Sequence, residues 1–262
     1  MRLENKVALV TSCRSGVCTG TARRLAEAGA KVMICGRNMA QGQETVRQIQ
    51  QRGGRASFVL ADVAAIADIR TTVDETIATY GRLDILVNSI GDEYAQDGEL
   101  TDVSEMTWDR ITETALRGTF FCCQYALPFL QQSGGGTIIN VIRQPAPVEF
   151  NAVTTICQGG VVAMTRAIAH QYPAQSITAN IIWIKPGDVP KFDVEPLAER
   201  VIRAPELDRA AIASEEETIP TLPVFSPPFT DAATAVLYLA TRSSTIQGTT
   251  VVVSETIAPD ED

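Results

Sequence analysis

The sequence predicts a single α/β domain, residues 1–262, in which seven strands form a doubly wound parallel sheet with helices on both faces. Three observations predict this fold. Short apolar runs alternate with longer helical segments along almost the whole chain. The first run, KVALVT at residues 6–11, is continuously apolar, as a strand buried on both faces requires. Strands separated by helices pair in parallel, because parallel neighbours need helical crossovers.

The elements can be assigned in order along the chain. Strands are predicted at residues 6–11, 31–35, 56–60, 84–88, 137–142, 178–184 and 249–253. Helices are predicted at residues 16–28, 40–51, 64–80, 104–132, 152–171 and 230–240. Residues 186–228 interrupt the pattern, because they carry seven prolines before Pro228 and many acidic residues. This segment is predicted to be a lid-like insertion after strand six.

Charge and composition limit the partners and the compartment. The chain has 22 basic and 31 acidic residues, a net charge of −9, which argues against a nucleic-acid partner. We expect no leader before the first strand and no apolar run of ~20 residues that could span a membrane, and therefore no membrane partner. The six cysteines lack metal-ligand spacing, and Cys35 and Cys123 lie in apolar runs as small hydrophobes. We expect a reducing cytoplasm.

Motifs at the ends of the strands carry a family resemblance. The turn after the first strand reads TSCRSGVC at residues 11–18. Further matches in register are Gly36-Arg37, Asp62-Val63, Asn88-Ser89-Ile90-Gly91, Trp108-Asp109-Arg110, Pro186-Gly187 and Gly248. Together they resemble the short-chain dehydrogenase/reductase family over residues 3–254. The resemblance implies a Rossmann-like fold with a nucleotide cleft at the carboxyl ends of the strands.

The cofactor turn departs from the family pattern. Ser12, Gly16 and Cys18 stand where the family has three glycines. We expect the Cys18 side chain to project into the phosphate space. We also expect Ser12 to need a positive φ, which costs a non-glycine residue roughly 1–2 kcal/mol. Ile90 replaces an alanine beside the cleft. The resemblance therefore implies a degenerate cleft, whose other positions are Arg37, Asp62 and Asn88. No cofactor is predicted for this chain.

The opposite interpretation stays open at the same turn. Arg14 and Arg37 stand where NADP-preferring relatives often hold the 2′-phosphate. The helix that begins near Gly16 still offers amide groups and a positive dipole end. Both arginines could equally be solvated at strand ends.

The catalytic positions of the family are also changed. The family chemistry uses a tyrosine, a lysine four residues later, a serine after strand five and an asparagine in the long helix. The resemblance places these roles on Ile156, Gly160, Arg143 and Ala115 respectively. Ile156 has no proton to exchange, Gly160 has no side chain, and Arg143 stays protonated. None of the five tyrosines is followed four residues later by lysine. We therefore predict no catalytic residue and no metal site in this chain.

Two other residues are weak candidates for chemistry. Cys157 is a conceivable nucleophile, but no histidine or lysine lies beside it to lower the pKa of its thiol, so a packing role is favoured. His170, the single histidine, lies near the end of its helix, where a cation is favourable.

These losses lead to three hypotheses. The first is a non-catalytic subunit in a heterotetramer with an active homologue, through the helices at about 104–132 and 152–171. The pattern of loss is similar to that of non-catalytic subunits in two-component dehydrogenases of anaerobic toluene degradation. This similarity implies a partner that oxidises a hydroxyacyl-CoA substrate with NAD. The second is a ligand-binding regulator that uses the vacant cleft. The third is an NADP-binding reductase with relocated catalytic residues.

Overall fold

The structure, a computed structural model, describes residues 3–13, 16–90, 100–143, 152–186, 224–225, 231–241 and 246–255. Eight strands lie within these ranges. They are β1 Val7–Thr11, β2 Lys31–Gly36, β3 Arg55–Leu60, β4 Ile85–Ile90, β5 Gly136–Arg143, β6 Ile177–Pro186, β7 Val224–Phe225 and β8 Thr250–Glu255. All seven predicted strands are confirmed. The two-residue β7 was not predicted, because it falls inside the proline-rich segment, most of which lies outside the described residues.

The strands form one parallel sheet in the order β3-β2-β1-β4-β5-β6-β8-β7. The chain starts at β1, builds outward to β3, and then crosses back to β4 on the other side of β1. This reversal is the topological switch point of a doubly wound sheet, where the cleft opens at the strands' carboxyl ends.

Seven α-helices of the described residues cover the two faces of the sheet. They are α1 Gly16–Glu27, α2 Met39–Gln51, α3 Ile66–Tyr80, α4 Glu105–Thr112, α5 Thr119–Gln132, α6 Ala152–Gln171 and α7 Ala232–Thr241. Leu25, Ile49 and Val236 place α1, α2 and α7 in one apolar core. Ile69, Leu130 and Ile168 place α3, α5 and α6 in the core on the other face. The predicted helices on both faces are thereby confirmed.

The long helix predicted at residues 104–132 contains a change of pitch. Ser104 caps its start by accepting a hydrogen bond from the Thr107 amide at 3.1 Å. Between α4 and α5 the backbone forms a π-helical turn, Glu113–Gly118. A Cβ at Gly118 would lie 2.5 Å from the carbonyl oxygen of Val63, so only glycine allows this approach to the loop after β3. Such turns are frequent at functional sites.

The amino end of β4 is held by a buried carboxylate. Asp84 accepts hydrogen bonds from Lys6 Nζ at 2.8 Å and from the Val7 amide at 3.0 Å. Arg82 donates two more, from Nε at 2.8 Å and Nη2 at 2.6 Å. These contacts fix the register of β1 against β4 at the end opposite the cleft.

Helix α6 corrects one sequence expectation. It is the one described helix that is long and apolar enough to cross a membrane by length and composition, whereas no such run was expected. Half of its apolar window is buried inside the protein, where Val161, Val162 and Ile168 pack towards the sheet.

Candidate functional site

The site predicted from sequence lies at the carboxyl ends of β1 and β4. A small cavity opens there, lined by Thr11, Ser12, Val63, Ser89, Thr114, Thr119 and Cys122. It combines hydroxyl groups from both strands with the start of α5. This is the place where a doubly wound sheet presents its ligand cleft.

A buried chain of polar side chains crosses the sheet beneath this cavity. Thr11 Oγ1 donates to Asn88 Oδ1 at 3.0 Å, and Asn88 Nδ2 donates to Asn140 Oδ1 at 2.9 Å. Asn140 Nδ2 then donates to Thr165 Oγ1 at 2.8 Å. All four residues are at most 3% exposed. This series of hydrogen bonds therefore links β1, β4 and β5 to α6. In it, Asn88 has a structural role.

The turn after β1 has the backbone conformation that the sequence predicted. Ser12 has a φ of +56°, the left-handed region that disfavours a side chain. The next residue, Cys13, donates its amide to the carbonyl oxygen of Cys35 at 2.9 Å. A Cβ at Gly36 would lie 2.7 Å from the Cys13 carbonyl oxygen, so the glycine lets the turn sit against the end of β2.

The expected position of the Cys18 side chain was wrong. Cys18 does not project into the cleft; it is 1% exposed and forms a disulfide with Cys13, which is 5% exposed. The third glycine of such turns serves close packing of helix on strand, and a side chain at that position therefore points towards the strand. Gly16, whose added Cβ would meet no described atom within 4 Å, begins α1 as predicted.

Of the basic and apolar residues predicted beside the cleft, the side chain of Arg37 lies within the described part of the structure. Arg37 lies at the end of β2 and pairs with Asp62, with Nη1 and Oδ2 3.7 Å apart and both side chains substantially exposed. Asp62 also accepts the Ala64 amide at 3.0 Å. Ile90 ends β4, but its side chain lies outside the described part, as does Arg14.

The four positions assigned to catalysis come together between the π-turn, β5 and α6. Ile156 is 47% exposed on α6. Arg143 ends β5 and is partly buried, and its carbonyl oxygen accepts a hydrogen bond from Gln158 Nε2 at 2.9 Å. Gln158 is 4% exposed, so this amide joins the end of β5 to α6 from inside the protein.

The position assigned to the lysine is bordered by a neighbouring side chain. A Cβ at Gly160 would lie 2.8 Å from Cδ1 of Leu116, a residue of the π-turn. Leu116 and its neighbour Ala115 pack on Ile111, Val153 and Cys157. The space next to the assigned asparagine and lysine positions is therefore apolar and occupied.

The two weak candidates have ordinary surroundings. Cys157 is 1% exposed within that apolar cluster, which agrees with a packing role. His170 is exposed in the last turn of α6, as predicted. Among the described residues, no group of three or more histidine, cysteine or acidic side chains is arranged to hold a metal ion.

Three buried thiols lie on the α3–α5 side of the sheet. Burial raises the pKa of Cys35 to about 11 and that of Cys123 to about 12, and it raises the pKa of Cys122 well above the ordinary value. These side chains remain neutral thiols at physiological pH. The interpretation of Cys35 and Cys123 as small hydrophobes is consistent with this burial.

Comparison with known proteins identifies the family. Residues 6–192 match the short chain dehydrogenase family. The chain belongs to the short-chain dehydrogenase family. Subunit BbsD of (2S)-[(R)-hydroxy(phenyl)methyl]succinyl-CoA dehydrogenase from Thauera aromatica is 33% identical over 93% of this chain and 92% of its own length. The 2-dehydro-3-deoxy-D-gluconate 5-dehydrogenase of Escherichia coli is 33% identical over 79% of this chain and 81% of its own.

Solved structures agree with the short-chain dehydrogenase fold. A short-chain dehydrogenase/reductase from Burkholderia xenovorans superposes with a TM-score of 0.74 at 29% identity, covering 96% of both chains. The assignment of this chain as an oxidoreductase of the short-chain dehydrogenase type rests on these relatives.

Three features of this short-chain dehydrogenase cleft were missed from sequence. The Cys13–Cys18 pair brackets a strand-to-helix turn at a separation of five, a spacing that could have suggested the disulfide. The sequence does not distinguish the adjacent glycines of α6, whereas a Cβ at Gly160 would meet Leu116 and one at Gly159 would meet no described atom within 4 Å. No sequence signal pointed to the Gln158–Arg143 contact.

Proposed function

We propose that this chain is a non-catalytic subunit of a heteromeric short-chain dehydrogenase that supports an active homologous subunit. The observation that carries the proposal is the contact between Leu116 and Gly160. A Cβ at the position assigned to the lysine would lie 2.8 Å from a terminal methyl of Leu116, so an apolar side chain borders that position.

The chemistry of a hydride transfer to or from a carbonyl requires a proton to move at the oxygen. Ile156 offers no such proton, and the guanidinium of Arg143 does not give one up. Loss of acid–base catalysis alone typically lowers a rate by about 10²–10⁴-fold. The residues at this end of the cleft do not fit nicotinamide chemistry. We propose that no cofactor acts in this chain and that NAD binds in the partner.

The partner surface proposed is formed by α5 and α6, giving a heterotetramer. Phe120 on α5 is 47% exposed, although it is a large apolar residue. On α6, the exposed residues Gly159, Ala163 and Ala167 recur every four positions. Small residues on one helical row let a second helix approach closely.

The substrate is proposed to be a hydroxyacyl-CoA, with a role in anaerobic toluene or benzylsuccinate degradation in the cytoplasm. Support comes from the Thauera aromatica relative, which is named as a subunit of a dehydrogenase for such a substrate and matches nearly the whole chain. We propose no nucleic-acid partner, because a net charge of −9 disfavours contact with a phosphate backbone.

One observation favours a second candidate, a regulatory protein that binds a nucleotide or acyl-CoA in the cleft. The burial of Cys18 removes one of the expected obstructions near the phosphate position. Titration calorimetry of the purified chain with NAD(H), NADP(H) and acyl-CoA tests it. Micromolar binding by the isolated chain would favour this second candidate, or an NADP-binding reductase if turnover accompanied it.

The leading proposal is tested by co-purification from the native host. A tagged copy of the chain should retain a homologue with an intact Tyr-x-x-x-Lys motif, identified by mass spectrometry. Dehydrogenation of the hydroxyacyl-CoA with NAD should then require the partner, and the isolated chain should show none. Turnover by the isolated chain would overturn the proposal, and so would a pure homo-oligomer in cells that express such a homologue.

A further inference from the structure

The disulfide between Cys13 and Cys18 ties the residue that follows Ser12 to the first turn of α1. The two cysteines are separated by five positions, so they close a loop of six residues. Both sulfur-bearing side chains are nearly fully buried, at 5% and 1% exposure. The crosslink is therefore part of the packing between β1 and α1.

The surroundings of the pair leave little space for two separate thiols. The Cys13 amide is bound to the Cys35 carbonyl oxygen at 2.9 Å, and Gly36 packs directly against the Cys13 carbonyl. Cys18 lies in the core with Ala22 and Val10. Two thiols cannot remain at bonding distance and must separate to van der Waals contact. Because the strand and the core are packed, the turn between them has to move.

We propose that Cys13 and Cys18 form a reversible redox couple, whose reduction loosens the turn between β1 and α1. Thr11 and Ser12 line the cavity at the switch point. The oxidation state of the pair therefore sets the shape of one edge of the cleft. In a reducing cytoplasm, a disulfide in an ordinary protein is usually transient and redox-sensing. The physiological meaning of the couple rests on the proposed cytoplasmic location, whereas its chemistry does not.

The reduction is a thiol–disulfide exchange with a low-molecular-weight thiol or dithiol. An external thiolate attacks Sγ of Cys13, the S–S bond breaks, and Cys18 leaves as a thiolate. Attack is assigned to Cys13 because its side chain is the more exposed of the two, at 5% against 1% for Cys18, so Cys18 is the thiolate that leaves. A second thiol then displaces Cys13 from the mixed disulfide. The protein gains two electrons and two protons, and two external thiols become one disulfide.

The test equilibrates the purified full chain in buffers of reduced and oxidised dithiothreitol. Acid quenching, denaturation and alkylation with N-ethylmaleimide are followed by peptide mass spectrometry. The chain has six cysteines, and four of them lie outside the disulfide in the oxidised structure. We expect the label count to rise from four to six in a single step, with both new labels on Cys13 and Cys18. Failure of the pair to oxidise, or labels that appear in separate steps, would overturn the proposal.

The loosening is measured by hydrogen exchange of a peptide that spans β1 and the start of α1. Opening a six-residue loop should speed exchange there by roughly 10- to 40-fold in the reduced protein, from the chain entropy that such a loop restrains. Equal exchange in the two states would contradict a redox-sensitive turn. The wild-type protein suffices for this comparison.

Two variants serve as controls. The C13S/C18S double variant should exchange as fast as the reduced wild type in every buffer. Cys157→Ser, which changes a buried thiol on α6 that is not part of the disulfide, should keep the full redox response. Loss of the response in Cys157→Ser would assign the effect to another thiol. Because only sulfur chemistry and local exchange are measured, the result is independent of whether a partner subunit exists.

Discussion

Gly159 and Gly160 are adjacent in α6 but have different surroundings. A Cβ at Gly159 meets no described atom within 4 Å, whereas one at Gly160 approaches Leu116 to 2.8 Å. Alanine is favoured over glycine inside a helix by about 1 kcal/mol. We expect Gly159→Ala to raise the free energy of unfolding by roughly 0.5–1 kcal/mol. Gly160→Ala should gain less or lose stability, as measured by urea denaturation.

The explanation for that difference can be checked by changing the neighbour. In a Leu116→Ala background the crowding is gone, so Gly160→Ala should recover the gain seen at Gly159. If the two glycines respond equally in the wild-type background, Leu116 does not fill the lysine position. The main support for a non-catalytic subunit would then be lost.

Asp84 makes stability depend on pH. Burial opposes its ionisation, but hydrogen bonds from Arg82, Lys6 and the Val7 amide outweigh burial and lower the pKa of the carboxyl. A carboxyl with a lowered pKa stabilises the fold above its unfolded-state pKa. The contribution is lost as the pH falls through the folded-state pKa.

Asp84→Asn should therefore lower the free energy of unfolding by about 2–3 kcal/mol at pH 7. Its stability should also fall less steeply than that of the wild type as the pH drops below about 4. Urea titrations between pH 3 and pH 7 measure both effects. Parallel pH profiles for the two proteins would show that the ionised carboxylate contributes nothing specific.

At the scale of elements, the polar chain from Thr11 to Thr165 joins three strands to one helix. Asn140→Leu would leave the buried Asn88 amide with only the Cys123 sulfur, 3.4 Å away, as a described acceptor. We expect a loss of roughly 1–3 kcal/mol in the free energy of unfolding. In an Asn88→Leu background, Asn140→Leu should lower the free energy of unfolding by less, because the Asn88 amide that would lose its acceptor is no longer present. A strictly additive double variant would argue that the two amides are not coupled.

The strands and most helices follow from sequence because burial dictates their composition. A parallel strand covered on both faces is mostly apolar, and residues 138–142 of β5 are all buried, with Asn140 as their one polar side chain. The bounds of α6 are as predicted, at Ala152–Gln171. Both features follow from local patterns of apolar residues, so they can be predicted from one sequence.

Other features depend on contacts between distant segments. The π-turn at residues 113–118 follows from the fit of Gly118 against Val63, more than fifty positions earlier in the chain. The direction of the Cys18 side chain depends on how closely α1 packs on β1. The positions assigned to catalysis were predicted from the family resemblance, but the closeness of Leu116 to Gly160 is visible only in the packed structure.

At the scale of the whole molecule, the proposed subunit contact depends on the exposed row on α6. Ala163 is exposed in the middle of that row, beside Gly159 and Ala167. A glutamate there would place a charge and a longer side chain in a helix–helix contact, and leaving a charge unpaired in an interface costs several kcal/mol. We expect Ala163→Glu to abolish retention of the partner in the co-purification.

The matched control is Ala40→Glu, an exposed alanine on α2, which packs on the opposite face of the sheet from α5 and α6. Both variants add one negative charge to a helix surface, so both should keep the wild-type circular dichroism and nearly the wild-type melting temperature. Only Ala163→Glu should run as a free protomer in analytical ultracentrifugation with the partner present. Equal retention of the partner by both variants would place the subunit contact elsewhere. The exposed Phe120 and the small residues of α6 would then need another explanation, because an isolated protomer gains nothing from leaving Phe120 in water.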